Sequence, residues 1–228
     1  MVKSSFRILL CFLLLTIISC SKDKLLESDP DAAYFPLSNG QFSDFDVKRT
    51  NYPILSLPEK QHFTTRQTIS DSFRDLNDNL VFKMNYFVQN NKSEWKSDSS
   101  ATVWHLPDKA MSQENGRTIV NQIYPLSNGL LWNGNLYNTD SEEMFRATDI
   151  GKPFQTETRL FPKTVTIIRH DDSTLLSRMK YIEIYALNVG LIRKEKIFLK
   201  YCNTPDCLGK GIINSGWAEL SVIKNYGK

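Results

Sequence analysis

Histidine and cysteine are scarce in this chain, three and four residues among 228. A zinc knuckle built on Cys202 and Cys207 would need two further Cys or His ligands at matching spacing, and none lies nearby, so no metal site is expected. The sequence also lacks a Gly-Xaa-Ser-Xaa-Gly elbow, a phosphate-binding glycine loop and a His-Glu-Xaa-Xaa-His motif. No cofactor is implied, and the chain is expected not to be an enzyme. A pair of glycosidase carboxylates needs no fixed spacing, so a glycan-hydrolysing alternative stays open. Charges of both signs are interspersed, with no basic stripe and no long acidic run, which gives a nucleic-acid partner no support. No long stretch carries a convincing helical period. Thr139-Asp140-Ser141-Glu142-Glu143 could cap one short helix ahead of Met144 and Phe145.

What is present begins at the N-terminus. Lys3 and Arg7 precede an apolar run from Ile8 to Ile18, too short for a stable membrane-spanning helix, and Ser19-Cys20-Ser21-Lys22-Asp23 follows. Ile17-Ile18-Ser19-Cys20 resembles the bacterial lipobox, whose cysteine receives a diacylglycerol and whose new amine is usually acylated, with palmitate as the common chain. Residues 1–19 therefore read as a lipoprotein signal peptide, Cys20 as the lipidation site, and 20–33 as a charged tether broken by Pro30. Removing Lys3 and Arg7 takes the formal charge from +3 to +1, so the alkaline character of the whole chain says little about the mature protein. The mature 209 residues can bury one sizeable core or two small, closely packed ones, and length alone does not choose between them. Cys20-Ser21-Lys22-Asp23-Lys24 resembles the surface-export signal of Bacteroidota lipoproteins, which implies the outer membrane, with the cell surface preferred over the periplasmic face.

Cys202 and Cys207 bracket Asn203-Thr204-Pro205-Asp206, a turn composition, and in an exported chain such a pair reads as a disulfide across the mouth of a β-hairpin. Pro-Leu-Ser-Asn-Gly occurs twice, at 36–40 and 125–129, each time ahead of aromatic or aliphatic residues. Proline fixes φ and Asn-Gly takes positive φ readily, so each copy turns the chain into a strand. The domain 34–228 thus divides into related halves, 34–122 and 123–228. Period-two alternation marks strands at Lys180 to Ala186, with Ile182, Ile184 and Ala186 opposite Tyr181, Glu183 and Tyr185, and at Trp217 to Ile223. Phe63 to Asp71, Leu80 to Val88, Gly116 to Ile123, Thr158 to Ile168 and Leu191 to Tyr201 add further strands. The expected fold is mainly β, with antiparallel sheets forming a curved sheet, a sandwich or an open barrel.

The segments at 34–40, 69–75, 132–135 and 183–192 resemble a set of uncharacterised outer-membrane lipoproteins of Bacteroidota. The resemblance implies an all-β fold and an envelope location, and no reaction.

Trp132-Asn133-Gly134-Asn135-Leu136-Tyr137 joins two aromatic rings to side-chain amides, the equipment for a sugar or an extended peptide. Trp132, Asn133, Asn135 and Tyr137 are therefore the candidate ligand-binding residues. His170-Asp171-Asp172 offers a base beside carboxylates, but consecutive residues after a strand do not converge on one site, and Asp-Asp-Ser is ordinary turn composition. Asp172-Ser173-Thr174 resembles the O-glycosylation acceptor of Bacteroidota. The functional expectation is a membrane-tethered, non-enzymatic accessory that binds an envelope protein. A carrier whose curved sheet encloses a lipid and a glycan-binding module are the alternatives.

Overall fold

The computed structural model describes residues 29–89 and 93–228. The expected signal peptide and Cys20 lie outside the described residues. A 3-10 helix, Pro30–Tyr34, precedes six strands: β1 (Phe42–Tyr52), β2 (Glu59–Arg74), β3 (Leu80–Gln89), β4 (Trp95–Leu106), β5 (Lys109–Glu114) and β6 (Arg117–Ile123). Six more follow: β7 (Leu131–Asn133), β8 (Met144–Gln155), β9 (Leu160–Ser173), β10 (Ser177–Ala186), β11 (Gly190–Tyr201) and β12 (Ile213–Gly227). All twelve lie in one antiparallel sheet of order β6-β5-β4-β3-β2-β1-β12-β11-β10-β9-β8-β7, curled until it is nearly a closed barrel.

Local chemistry accounts for the hairpins. Asn115 and Gly116, both at positive φ, form the two-residue β5–β6 turn in which Glu114 pairs with Arg117, the geometry that matches strand twist. The two Pro-Leu-Ser-Asn-Gly copies occupy equivalent places ahead of β1 and β7. Gly40 (φ 84°) donates to Ile69 O at 2.8 Å, and Gly129 (φ 85°) donates to Ala147 O at the same distance. Gln41 N then bonds Ser38 O, as Leu130 N bonds Ser127 O. Each copy therefore pins the start of its half to the next hairpin strand.

The seam between β6 and β7 is closed by few bonds. Val120 N donates to Gly134 O at 2.9 Å, the Trp132 indole N–H returns to Val120 O at 2.8 Å, and Asn138 Nδ2 reaches Thr118 O. Trp132 and Phe145 meet edge to face beneath it, with Met111, Val120, Val165 and Ile167 in the same buried cluster. A second cluster gathers Phe45, Val47, Phe161, Ile184, Ile192 and Ile223.

Four sequence expectations are corrected. Asp29 to Ala33, inside the expected tether, belong to the folded domain: Asp29 caps the 3-10 helix, Asp31 accepts from Leu126 N, and Asn188 N bonds Ala33 O. Met144 and Phe145 open β8 rather than a helix, because Phe145 and Ala147 alternate into the core while Asn133 Oδ1 takes the Glu143 N–H. His170-Asp171-Asp172 continues β9, paired with Tyr181, Lys180 and Met179, and the turn comes after it. The alternation in β10 has its polar side buried as well: Glu183 and Tyr185 are 4% exposed, beside Ile184 at 5% and Ala186 at 2%.

The disulfide between Cys202 and Cys207 forms as expected, with Cα atoms 5.8 Å apart. It closes a short loop away from both clusters, so replacing both cysteines by alanine should cost about 2 kcal/mol. Urea denaturation of the double variant against the parent checks this.

Candidate ligand cavity

Strand geometry gives the barrel two distinct ends. At the end where β1 begins, the segment after the 3-10 helix crosses beneath the lumen. Tyr34 is buried there, Phe35 packs on His105 and Tyr185, and His105 Nε2–H donates to Phe35 O at 2.8 Å. Burial holds the His105 imidazole pKa below its usual value, so the ring is neutral and structural.

Above this floor lies a cavity of about 340 Å³, within the ~300–1,000 Å³ typical of ligand sites. Residues of ten strands line it. One part is apolar, with Phe63, Ile69, Met84, Val103 and Leu191; the other is polar, with Asn121, Arg169, Tyr181, Glu183, Lys194 and Lys196. Polar side chains also enter the first part, where Thr65 and Gln67 of β2, Tyr86 of β3 and Ser99 of β4 line the cavity.

The polar wall is organised around Glu183. Arg169 Nε donates to it at 2.9 Å and Nη2 approaches at 2.7 Å, with both side chains almost fully buried. The hydroxyls of Tyr181 and Tyr185 each donate to it at 3.0 Å. Arg169 also stacks over Phe145 and Tyr181, and donates to Asn121 Oδ1 at 3.0 Å. Burial opposes the charge of both partners; mutual attraction outweighs it, so Arg169 is held above its ordinary pKa and Glu183 below. Burial likewise raises the phenols of Tyr181 and Tyr185, which stay neutral donors.

Lys196 differs. Its ammonium lies over Tyr181 at 4.3 Å, and burial, helped by Lys194 and Arg169, lowers its pKa to about 8 against the pull of Glu183 and Glu219. Among the described residues neither Lys194 nor Lys196 has a carboxylate within 4 Å. Of the other acids that line the cavity, Asp98 and Glu114 are solvent-exposed, with Ser99 Oγ donating to Asp98 and Tyr86 to Glu114, whereas Glu219 is half-buried, lies opposite Lys196 on β12 and pairs with Arg49 at 3.7 Å.

At the opposite end from the floor, three adjacent hairpin loops carry exposed apolar side chains. The β1–β2 loop presents Ile54, Leu55 and Leu57, with Leu55 fully exposed. Leu175 and Leu176 tip the β9–β10 loop, and Leu208 and Ile212 the β11–β12 loop. Tyr201 N bonds Leu176 O and Tyr52 pairs with Gly216, which ties the three loops into one rim.

The residues singled out from sequence are placed elsewhere. Trp132 is buried in the seam; Asn133 Oδ1 accepts from the Asn135 and Glu143 amides, and Asn135 Nδ2 donates to Ser141 O. Only Tyr137 of the four stands in solvent, near Lys109. These side chains build a loop, because internal partners consume their polar atoms. His62 bonds Asp46 and His170 bonds Glu143 on separate strands, so the histidines do not converge. The cavity residues escaped sequence reading; their one local signal was a charged residue, Glu183, between Ile182 and Ile184 of β10.

No family model matches the chain, and no curated protein matches it. Among solved structures, a protein of Parabacteroides distasonis described as a lipoprotein aligns over 85% of this chain and 98% of its own, at 12% identity and a TM-score of 0.45. An exported protein of Bacteroides fragilis with a YmcC-like fold aligns over the same shares at 12% identity and a TM-score of 0.38.

Proposed function

We propose that the protein is an exported lipoprotein, anchored through Cys20 to the outer membrane, whose barrel carries a small acyl-chain ligand without chemical turnover. The observation that carries this reading is the floored cavity, whose lining joins a group of apolar side chains to a charged cluster. An acyl chain gains about 0.8 kcal/mol per methylene removed from water, and a floored lumen shields the part of the chain that enters it. The export signal supports the address.

Native mass spectrometry of the protein purified from its own envelope tests the reading. An acyl-sized mass that is lost on denaturation, over and above the covalent anchor, is expected. A clean unliganded mass would sink it.

The apolar rim favours a second reading, in which the loops dock on an envelope protein. Exposed leucines this close together mark interaction surfaces more often than ordinary surface. A photo-crosslinking residue at Leu55 should then capture one specific envelope protein; capture of abundant bystanders alone opposes it.

A further inference from the structure

We infer that the polar wall of the cavity is a receptor for an anionic head group, in which Lys194, Lys196 and the free amide of Asn121 bind carboxylate or phosphate oxygens. The inference rests on the carrier reading and names the class of ligand the cavity takes.

Two independent observations converge. Glu183 is already saturated: Arg169 and two tyrosine hydroxyls occupy its oxygens. The two lysines, at alternate positions on β11, face the cavity beyond ion-pair distance of any acid among the described residues: Glu183 opposite Lys194 is taken by Arg169, and Glu219 opposite Lys196 is taken by Arg49, which leaves both ammoniums free for a ligand oxyanion. Separately, Asn121 is 4% exposed and lines the cavity, and its Nδ2 has no partner, while its Oδ1 is held by Arg169. A buried amide donor left unused costs about 1–3 kcal/mol, and an acceptor supplied by a ligand relieves it. Arg169 links the parts: it bonds Asn121 on one side and stacks on Tyr181 on the other, whose opposite face carries Lys196. Lys194, Lys196 and the Asn121 amide offer donors, which suit an oxyanion, while the acids nearest them, Glu183 and Glu219, are already paired with Arg169 and Arg49. The groups that face Lys196 are Lys194, Arg169, Glu183 and Glu219. Protonated Lys196 binds an anion better than neutral lysine, so affinity is expected to fall as pH rises through about 8.

Isothermal titration of the delipidated full-length protein provides the test, with dodecanoate, dodecyl phosphate, dodecanol and dodecylammonium as probes. Dodecanoate or dodecyl phosphate should bind roughly ten-fold to a hundred-fold tighter than dodecanol, as charge-assisted hydrogen bonds of this kind provide. The tighter of the two anions identifies the head group. A Lys194→Met/Lys196→Met variant should lose that preference and keep its dodecanol affinity, which also certifies its fold. Equal binding of anion and alcohol by the parent, or preference for dodecylammonium, would overturn the inference and leave the carrier reading intact. Absence of binding by all four probes would instead remove the carrier reading, and the inference with it.

Discussion

Replacing Arg169 with methionine will destabilise the protein by about 3–5 kcal/mol, since it strands Glu183 as an uncompensated buried charge. Methionine approximates the volume of the arginine stem, so little of the loss comes from packing. The pH dependence separates the causes. In the parent, burial pushes the Glu183 carboxyl up in pKa, but Arg169, Lys194, Lys196 and the Tyr185 hydroxyl outweigh it and leave the pKa depressed. A depressed carboxylate contributes stability above its unfolded value and loses it as pH falls through the folded one. Without Arg169 burial gains ground and the folded pKa rises. A raised carboxylate contributes stability at acid pH and loses it as pH climbs through the folded value. Urea denaturation should therefore show a smaller deficit at pH 4 than at pH 8, and adding Glu183→Gln should recover much of it. A pH-independent deficit would mean that packing, and not charge, is what Arg169 supplies.

Trp132→Ala is expected to be comparably costly, about 3–5 kcal/mol, because it removes a buried aromatic from the seam where the barrel has the fewest backbone bonds. The indole fills the space beside Phe145 and donates to Val120 O, so truncation leaves both a cavity and an unpaired carbonyl. Trp132→Phe keeps most of the volume and should cost about 1–3 kcal/mol for the lost hydrogen bond. Thermal melts rank the two variants, and the order parent, phenylalanine, alanine is the expected one. Were Trp132 an exposed recognition residue, alanine would leave the melting temperature unchanged.

These two residues illustrate what the sequence makes legible. Strands β10 and β12 announce themselves through alternation, and the paired Pro-Leu-Ser-Asn-Gly turns mark where each half starts. Strand β4 does not, because Lys96 to Ser100 are exposed on both faces and carry no periodic contrast. Strand β1 is announced by the turn at 36–40 and not by alternation, since Asp44, Asp46, Lys48 and Arg49 interrupt it and find pairing partners, among them Arg66, His62 and Glu219, on neighbouring strands. The short helix was misjudged because its acidic, serine-rich approach satisfies a capping pattern that Asn133 uses for a loop. The cavity was beyond reach: Asn121, Arg169 and Glu183 lie 48 and 14 residues apart along the chain, and only the curling of the sheet joins them.

The sheet order has one consequence for how the chain is made. Every ladder joins consecutive strands except β1 with β12, which brings Phe42 opposite Gly227. A chain emerging from its N-terminus completes the first six-stranded meander early, yet β1 must wait for the last strand before its outer edge is covered. An uncovered edge is a template for pairing with other molecules, and natural proteins blunt such edges with charge. The Asp44, Asp46, Lys48 and Arg49 series thus places charge along the one strand edge that stays uncovered until β12 arrives.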